Sequence, residues 1–121
     1  MVRVFHNSKA FDEDARLQFG YFSKPKEFAE IIGNQPTTDF VEVAKVETDN
    51  LHVAYEQTNS IEAAWYYNDG LTVSFDLKEQ VPENEECNRK RSTSVADIME
   101  LNGQFFAVAT CGFVEIRKRM I

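Results

Sequence analysis

Asp97 ends the segment Arg91-Ser92-Thr93-Ser94-Val95-Ala96-Asp97, and Glu100 follows three residues later. Two such carboxylates could divide general acid–base work between them, provided that a histidine or a nucleophile converged on the pair. The same residue types also have a structural use. Ser and Asp at this spacing satisfy backbone N–H groups in a turn, so Asp97 is read as the residue that fixes the chain's direction into the strand that follows. The structural reading is preferred, and no catalytic residue is assigned.

Other chemistry is poorly supported. The two cysteines, Cys87 and Cys111, have neither a second Cys nor a His at metal-ligand spacing, and His6 and His52 are far apart in sequence. The acidic runs Asp12-Glu13-Asp14 and Glu83, Glu85, Glu86 lack the alternating spacing of a calcium loop. Five glycines, none in a phosphate-binding pattern, leave little for a nucleotide cradle. No metal and no cofactor is expected, and the protein is read as a non-enzyme.

Charge and aromatic residues suggest binding instead. The net charge is −7, but residues 1–86 hold 17 acidic and 7 basic side chains, whereas residues 87–121 hold 3 and 6. An acidic face of this kind attracts a basic partner by long-range steering. The expected partner-binding residues are Asp12, Glu13, Asp14, Glu62, Trp65, Tyr66, Tyr67, Asp69, Glu83, Glu85 and Glu86. Trp and Tyr are favoured anchors at interfaces, and three consecutive aromatics cannot all face one side of a strand. The alternative is a single-stranded nucleic-acid module. It would use the basic triplets Arg89-Lys90-Arg91 and Arg117-Lys118-Arg119 for phosphates, with residues 65–67 stacking on bases. The pI of about 4.8 opposes it.

The elements that position these residues follow from periodicity. Val2 to His6 alternates as a strand. Residues 11–22 are ambiguous: Phe11, Ala15, Phe19 and Phe22 fit helical spacing, but Gly20 weakens it. Ser23-Lys24-Pro25 starts a helix presenting Phe28, Ile31 and Ile32, and Gly33-Asn34 is expected to end it in the left-handed conformation. Phe40 to Val46 reads as a strand, with Phe40, Ala44 and Val46 on one side. Asp49 or Asn50 caps a helix whose inner stripe is Leu51, Ala54, Tyr55 and Thr58. Asn68-Asp69-Gly70 is a turn leading into the strand 71–76. Residues 78–92 form the longest loop. Ile98–Leu101 and Phe105–Val108 flank Asn102-Gly103, the sequence best suited to a type I′ hairpin. The second strand is expected to run on through Ala109 and Cys111 to Ile116, with Gly112 as a bulge. Together these give one α+β domain over 1–121: a mainly antiparallel sheet, two or three short helices packed on it, and a C-terminal β-hairpin.

Within this frame the C-terminal half resembles YodL-like domains, small proteins of phages, plasmids and other mobile elements. The likeness lies in Arg91, Ser92, Ser94, Val95, Asp97, Ile98, Gly103, Phe105, Gly112 and Phe113, preceded by the helix and aromatic stretch of residues 51–70. It covers about half the chain, and residues 1–40 show none of it. The resemblance implies an accessory protein of a mobile element with no settled biochemical activity, and it carries over no catalytic residue.

The expected function is that of a small acidic accessory protein. It would dock on a host or mobile-element protein, in the concrete case a nucleic-acid enzyme or defence system whose basic groove it fills. No apolar run reaches the roughly 20 residues of a membrane span, and the N-terminus lacks the apolar stretch of a signal peptide, so the host cytoplasm is the expected location. A homodimer is expected as well, because residues 105–114 hold more apolar strand than one sheet face needs.

Overall fold

The computed structural model describes residues 1–61, 63–78 and 89–121. Six strands form one antiparallel sheet: β1 (Val2–Asn7), β2 (Phe40–Val46), β3 (Leu71–Val73), β4 (Ile98–Leu101), β5 (Gln104–Val108) and β6 (Phe113–Ile116), in the spatial order β3-β2-β1-β4-β5-β6. The helices are α1 (Ala15–Gln18), α2 (Pro25–Gly33) and α3 (Leu51–Gln57), with short 3-10 turns at Thr37–Asp39 and Trp65–Tyr67. This is the expected α+β class. Among the described residues no helix is long and apolar enough to cross a membrane.

β1 lies inside the sheet because it is apolar on both faces. Val2 and Val4 join Val46, Ala54, Trp65, Met99 and Val108 on the face that carries α3. Phe5 joins Phe28, Ile32, Phe40, Ile98 and Phe105 on the face that carries α2. A strand with helices on both sides has no solvent face, so simple apolar–polar alternation is blurred.

β2 does not keep the alternation read from its sequence. Val4 stands opposite Ala44 but Phe5 opposite Glu42, so Val43 is an extra residue, a β-bulge. The bulge reverses the parity of the strand. Phe40 packs into the α2-side core, while Ala44 and Val46 pack into the other, not on one side as expected.

α2 begins at Pro25, whose missing N–H costs nothing in the first turn. It does not end in the left-handed conformation: Asn34 has φ −87°. Gly33 is needed for space instead, since a Cβ there would lie 2.9 Å from Ile116 Cγ2 of β6. Asn50 caps α3, its side-chain oxygen accepting from the N–H groups of His52 and Val53 at 2.9 and 3.3 Å. The proposed stripe holds, with Ala54 and Thr58 buried and Leu51 and Tyr55 half-buried.

Asn102 and Gly103 have φ of 53° and 83°, as a type I′ turn requires. Gly112 marks no bulge. Its φ of 85° closes a second turn, Ala109 N–H donates to Gly112 O at 2.9 Å, and β6 returns antiparallel to β5. Cys111 therefore sits exposed in that turn and not within a strand. The apolar residues 105–114 are shared between the two faces. Phe105 and Ala107 pack with α2, and Phe113 packs edge-on to His52 and Tyr55. α2 and α3 thus lie against part of this apolar stretch, and Phe106, Phe113 and Val114 remain half-buried.

Replacing Asn50 by Ala removes the cap and should lower stability by about 1 kcal/mol. Urea unfolding followed by circular dichroism measures it, and an unchanged midpoint would show that the cap hydrogen bonds contribute nothing.

Candidate functional site

Asp97 is fully buried and accepts four hydrogen bonds. The Arg91 guanidinium grips it bidentately, Nη1 to Oδ2 and Nη2 to Oδ1, both at 2.7 Å. The Asn7 N–H donates to Oδ1 at 2.8 Å and the Ser94 N–H to Oδ2 at 2.7 Å. A buried carboxylate needs such company, because charge taken out of water is costly unless paired and hydrogen-bonded. The expected structural role of Asp97 is what the geometry displays: it ties the end of β1 to the chain entering β4.

Ala96 carries part of this arrangement. Its φ is 77°, unusual for a residue with a side chain. In that conformation its N–H donates to Val108 O at 2.9 Å, and its carbonyl accepts from Asn7 Nδ2 at 3.1 Å.

A second buried chain adjoins the first. Thr58 Oγ1 donates to Ala54 O at 2.8 Å, and Thr93 Oγ1 donates to Thr58 Oγ1 at 2.7 Å. The Thr93 proton is thereby used, so at 3.1 Å His6 Nε2 must donate to Thr93 Oγ1. This fixes the tautomer with a proton on Nε2, which also lies 3.9 Å from Asp97 Oδ2. Helical spacing places Thr58 on the inner stripe of α3, but nothing in the local sequence announces that it meets Thr93 and His6, which come from distant segments.

Above the Arg91–Asp97 pair lies the chain between β1 and α2. It leaves β1 at Asn7, whose carbonyl accepts from Arg91 Nη2 at 3.3 Å. Arg91 lies 4.7 Å from the centre of the Phe11 ring. Tyr21 closes the segment from the other end, its hydroxyl donating toward Ala10 O (3.1 Å) and Val95 O (3.3 Å). Inside it, Ala15 and Phe19 are buried against the α2-side core. Only Ala15–Gln18 is helical, so the ambiguous stretch 11–22 is mostly irregular.

What this segment exposes is unusual. Phe11, Leu17 and Phe22 are 69%, 83% and 80% exposed. Asp12, Glu13 and Asp14 are exposed between them. Sequence reasoning named the three carboxylates but missed the three apolar side chains. Helical spacing grouped Phe11 and Phe22 with Ala15 and Phe19 in a stretch left ambiguous, and of these only Ala15 and Phe19 are buried.

The remaining expected site residues are scattered. Trp65 is fully buried, with Nε1 donating to the carbonyls of Lys90 and Arg91 at 3.0 and 2.9 Å. Tyr66 is half-buried and packs edge-on to Trp65 and Phe75. Tyr67 is exposed, as is Asp69 in the turn before β3. These lie with the α3-side core, on the opposite face of the sheet from Ala15 and Phe19. Glu62, Glu83, Glu85, Glu86, Cys87 and most of the expected loop 78–92 lie outside the described residues.

The basic triplets are also divided. Arg91 is consumed by Asp97, its side chain only 9% exposed, and is not placed to meet phosphate. Lys90 Nζ donates to Leu77 O at 3.0 Å and lies 5.6 Å from the Tyr66 ring centre; Arg89 lies 6.0 Å from that of Phe75. Arg117, Lys118 and Arg119 follow Ile116, which pairs with Phe105 beside the Asn102-Gly103 turn. Trp65 packs beside His6, beyond the other end of the β1–β4 pairing. The two triplets thus stand at opposite ends of the sheet. Among the described residues no three His, Cys, Asp or Glu side chains gather as a metal ion would need.

No protein-family model matches the chain, and no match is found among curated proteins or solved structures.

Removing Arg91 should leave a buried, half-compensated carboxylate. Arg91→Ala is expected to destabilise the fold by about 3–5 kcal/mol, and Arg91→Lys, which cannot grip two oxygens, should recover only part. Urea titration of the three proteins tests this; a loss below about 1 kcal/mol for Arg91→Ala would remove the pair from its central place.

Tyr21 offers a second test. Burial raises its pKa above 10.0, and the negative charge of Asp97 pushes the same way, with Arg91 and Arg16 opposing. A raised folded-state pKa means stability that is complete below the unfolded value and lost as pH rises through the folded one. At neutral pH, Tyr21→Phe should cost about 1 kcal/mol of hydrogen bonding. The gap to the wild type should narrow above about pH 10, where the phenol begins to ionise. A gap constant up to about pH 11 would show that Tyr21 is not held neutral by the fold.

Proposed function

We propose that this protein is a non-enzymatic docking protein that binds a basic protein surface through residues 11–22. The observation that carries the reading is the exposure of Phe11, Leu17 and Phe22 around Asp12, Glu13 and Asp14. Large apolar side chains in water cost free energy that a partner's hollow would recover, at roughly 25 cal/mol per Å² buried. The adjoining carboxylates steer toward positive charge and reject acidic surfaces. A groove built for a phosphate backbone fits both demands, being basic at its walls and often apolar or aromatic at its floor. The concrete form is an antagonist of a nucleic-acid enzyme or defence system, acting in the host cytoplasm. The YodL-like resemblance supports a mobile-element accessory protein of this kind.

Binding of single-stranded nucleic acid is the weaker reading. Its support is the approach of Lys90 to Tyr66 and the exposure of Tyr67. Against it stand the consumption of Arg91 and the distance of residues 117–119 from these aromatics.

The test is capture from host lysate by the full chain, beside two variants. Leu17→Ser/Phe22→Ser removes apolar contact, and Asp12→Lys/Glu13→Lys/Asp14→Lys reverses charge. Phe11 is spared because it touches Arg91. A specific partner should be retained by the wild type, lost by at least tenfold in both variants, and weakened by added salt. Its purified nucleic-acid activity should fall on titration with the protein. Retention of nothing at low and moderate salt, or retention indifferent to both variants, would overturn the proposal. A gel shift with single-stranded DNA or RNA at about 100 mM salt would favour the second reading.

A further inference from the structure

β6 is an edge of the sheet among the described residues, so one side of its backbone has no strand beside it. Which groups face outward follows from β5. Val108 turns both backbone groups toward β4: its N–H donates to Asp97 O at 2.8 Å, and its carbonyl accepts from Ala96 N–H at 2.9 Å. Val108 stands opposite Phe113, so that pair is of the non-hydrogen-bonded kind. Phe113 and, two residues on, Glu115 therefore point their N–H and C=O groups away from the sheet; so does Arg117 wherever the strand continues.

The side chains alternate with this pattern. Val114 and Ile116 pack toward α2. Glu115 and Arg117 lie on the other face, with Arg117 Nε 3.3 Å from Glu115 Oε1. Beyond the edge runs an open groove of about 750 Å³, walled by Lys26, Ala29, Glu30 and Gly33 of α2 and floored by Val114 and Ile116.

We propose that this edge is an interface for a second copy of the chain, paired antiparallel about a two-fold axis at Ile116. The charges select both the occupant and the register. Outward-facing residues must meet outward-facing residues, which leaves few choices. An axis at Glu115 would set that carboxylate against itself, a destabilising like-charge pair. An axis at Ile116 sets Glu115 opposite Arg117 of the second copy, and does so twice by symmetry. The groove wall also carries both signs of charge, since Lys26 and Glu30 share one face of α2 with Ala29 and Gly33. The small residues at Ala29 and Gly33 leave room for a second helix over the groove. A foreign strand could use the same backbone groups, but it would carry the matching charge pattern only by chance. The inference stands apart from the docking segment, whose exposed side chains belong to a different part of the chain.

The test is sedimentation equilibrium of the full chain from about 10 to 500 micromolar, with thermal unfolding of each variant as a check on the fold. The wild-type mass should rise from 13.9 kDa toward twice that value. Glu115→Arg alone and Arg117→Glu alone each turn two attractive contacts into repulsive ones and should weaken association about tenfold or more. The double variant Glu115→Arg/Arg117→Glu restores the pairs in reversed order and should associate as the wild type does. A mass of 13.9 kDa at every concentration overturns the proposal. So does a dimer that folded single-reversal variants leave unchanged, or one that the double variant fails to restore.

Discussion

The structure turns on a single buried ion pair. Arg91 and Asp97 are six residues apart, yet what they join is distant in sequence: the Asn7 N–H and carbonyl at the end of β1, and the Ser94 N–H before β4. Asp97 satisfies the N–H groups of Asn7 and Ser94, while the Asn7 carbonyl accepts from both Arg91 and the Ala10 N–H. A hydrophobic pair could fill the same space, but it could not bind these two N–H groups, so apolar replacement would strand both at once. The ion pair is therefore best understood through the register it imposes and not through its own Coulomb energy, which desolvation largely offsets. It holds the end of β1 and the start of β4 together just where their pairing stops at Phe5 and Ile98.

That junction also shapes the surface. The chain from Asn7 to α2 has a helix of only four residues, too short to be stable alone. Its conformation is held at points: Asn7 by Asp97, Phe11 over Arg91, Ala15 and Phe19 in the core, and Tyr21 between Ala10 and Val95. Pinning alternate positions of an irregular segment leaves those between them outside. This is how Leu17 and Phe22 come to be exposed in a chain that has an ample core elsewhere. Under the docking proposal, a segment mounted on this ion pair would lose less entropy on binding than a free loop.

Legibility in the sequence followed the range of the interactions. The Asn102-Gly103 hairpin and the Asn50 cap were readable because each depends on neighbours within a few residues. The β2 strand was readable as an element, but its bulge at Val43 was not, since the extra residue is defined only by the register against β1. Gly112 announced positive φ without saying whether the strand would bend or reverse. Gly33 announced a helix end, but its reason lies in Ile116, over 80 positions away. The site behaved likewise. Asp97 could be assigned a structural role from its Ser-rich surroundings, whereas Arg91 looked like one of three equivalent cations. Only the folded chain distinguishes it, because bidentate pairing depends on direction and not on composition.

The same distinction bears on charge. A count gives residues 87–121 a surplus of 3 positive charges and residues 1–86 a deficit of 10. Part of that positive surplus is used within the fold. Arg91 is buried against Asp97, and Lys90 lies against Leu77 O and the Tyr66 ring, whereas Arg117, Lys118 and Arg119 are exposed. Asp12, Glu13 and Asp14 are exposed as well, and none of the described ion pairs includes them. A field at the surface is set by charges that are not neutralised at short range, since screening removes the rest within about 10 Å. A partner approaching residues 11–22 therefore meets Asp12, Glu13 and Asp14 against a single exposed cation of that segment, Arg16, a local net charge of −2. This local excess, more than composition, is why the docking reading commits to a basic surface.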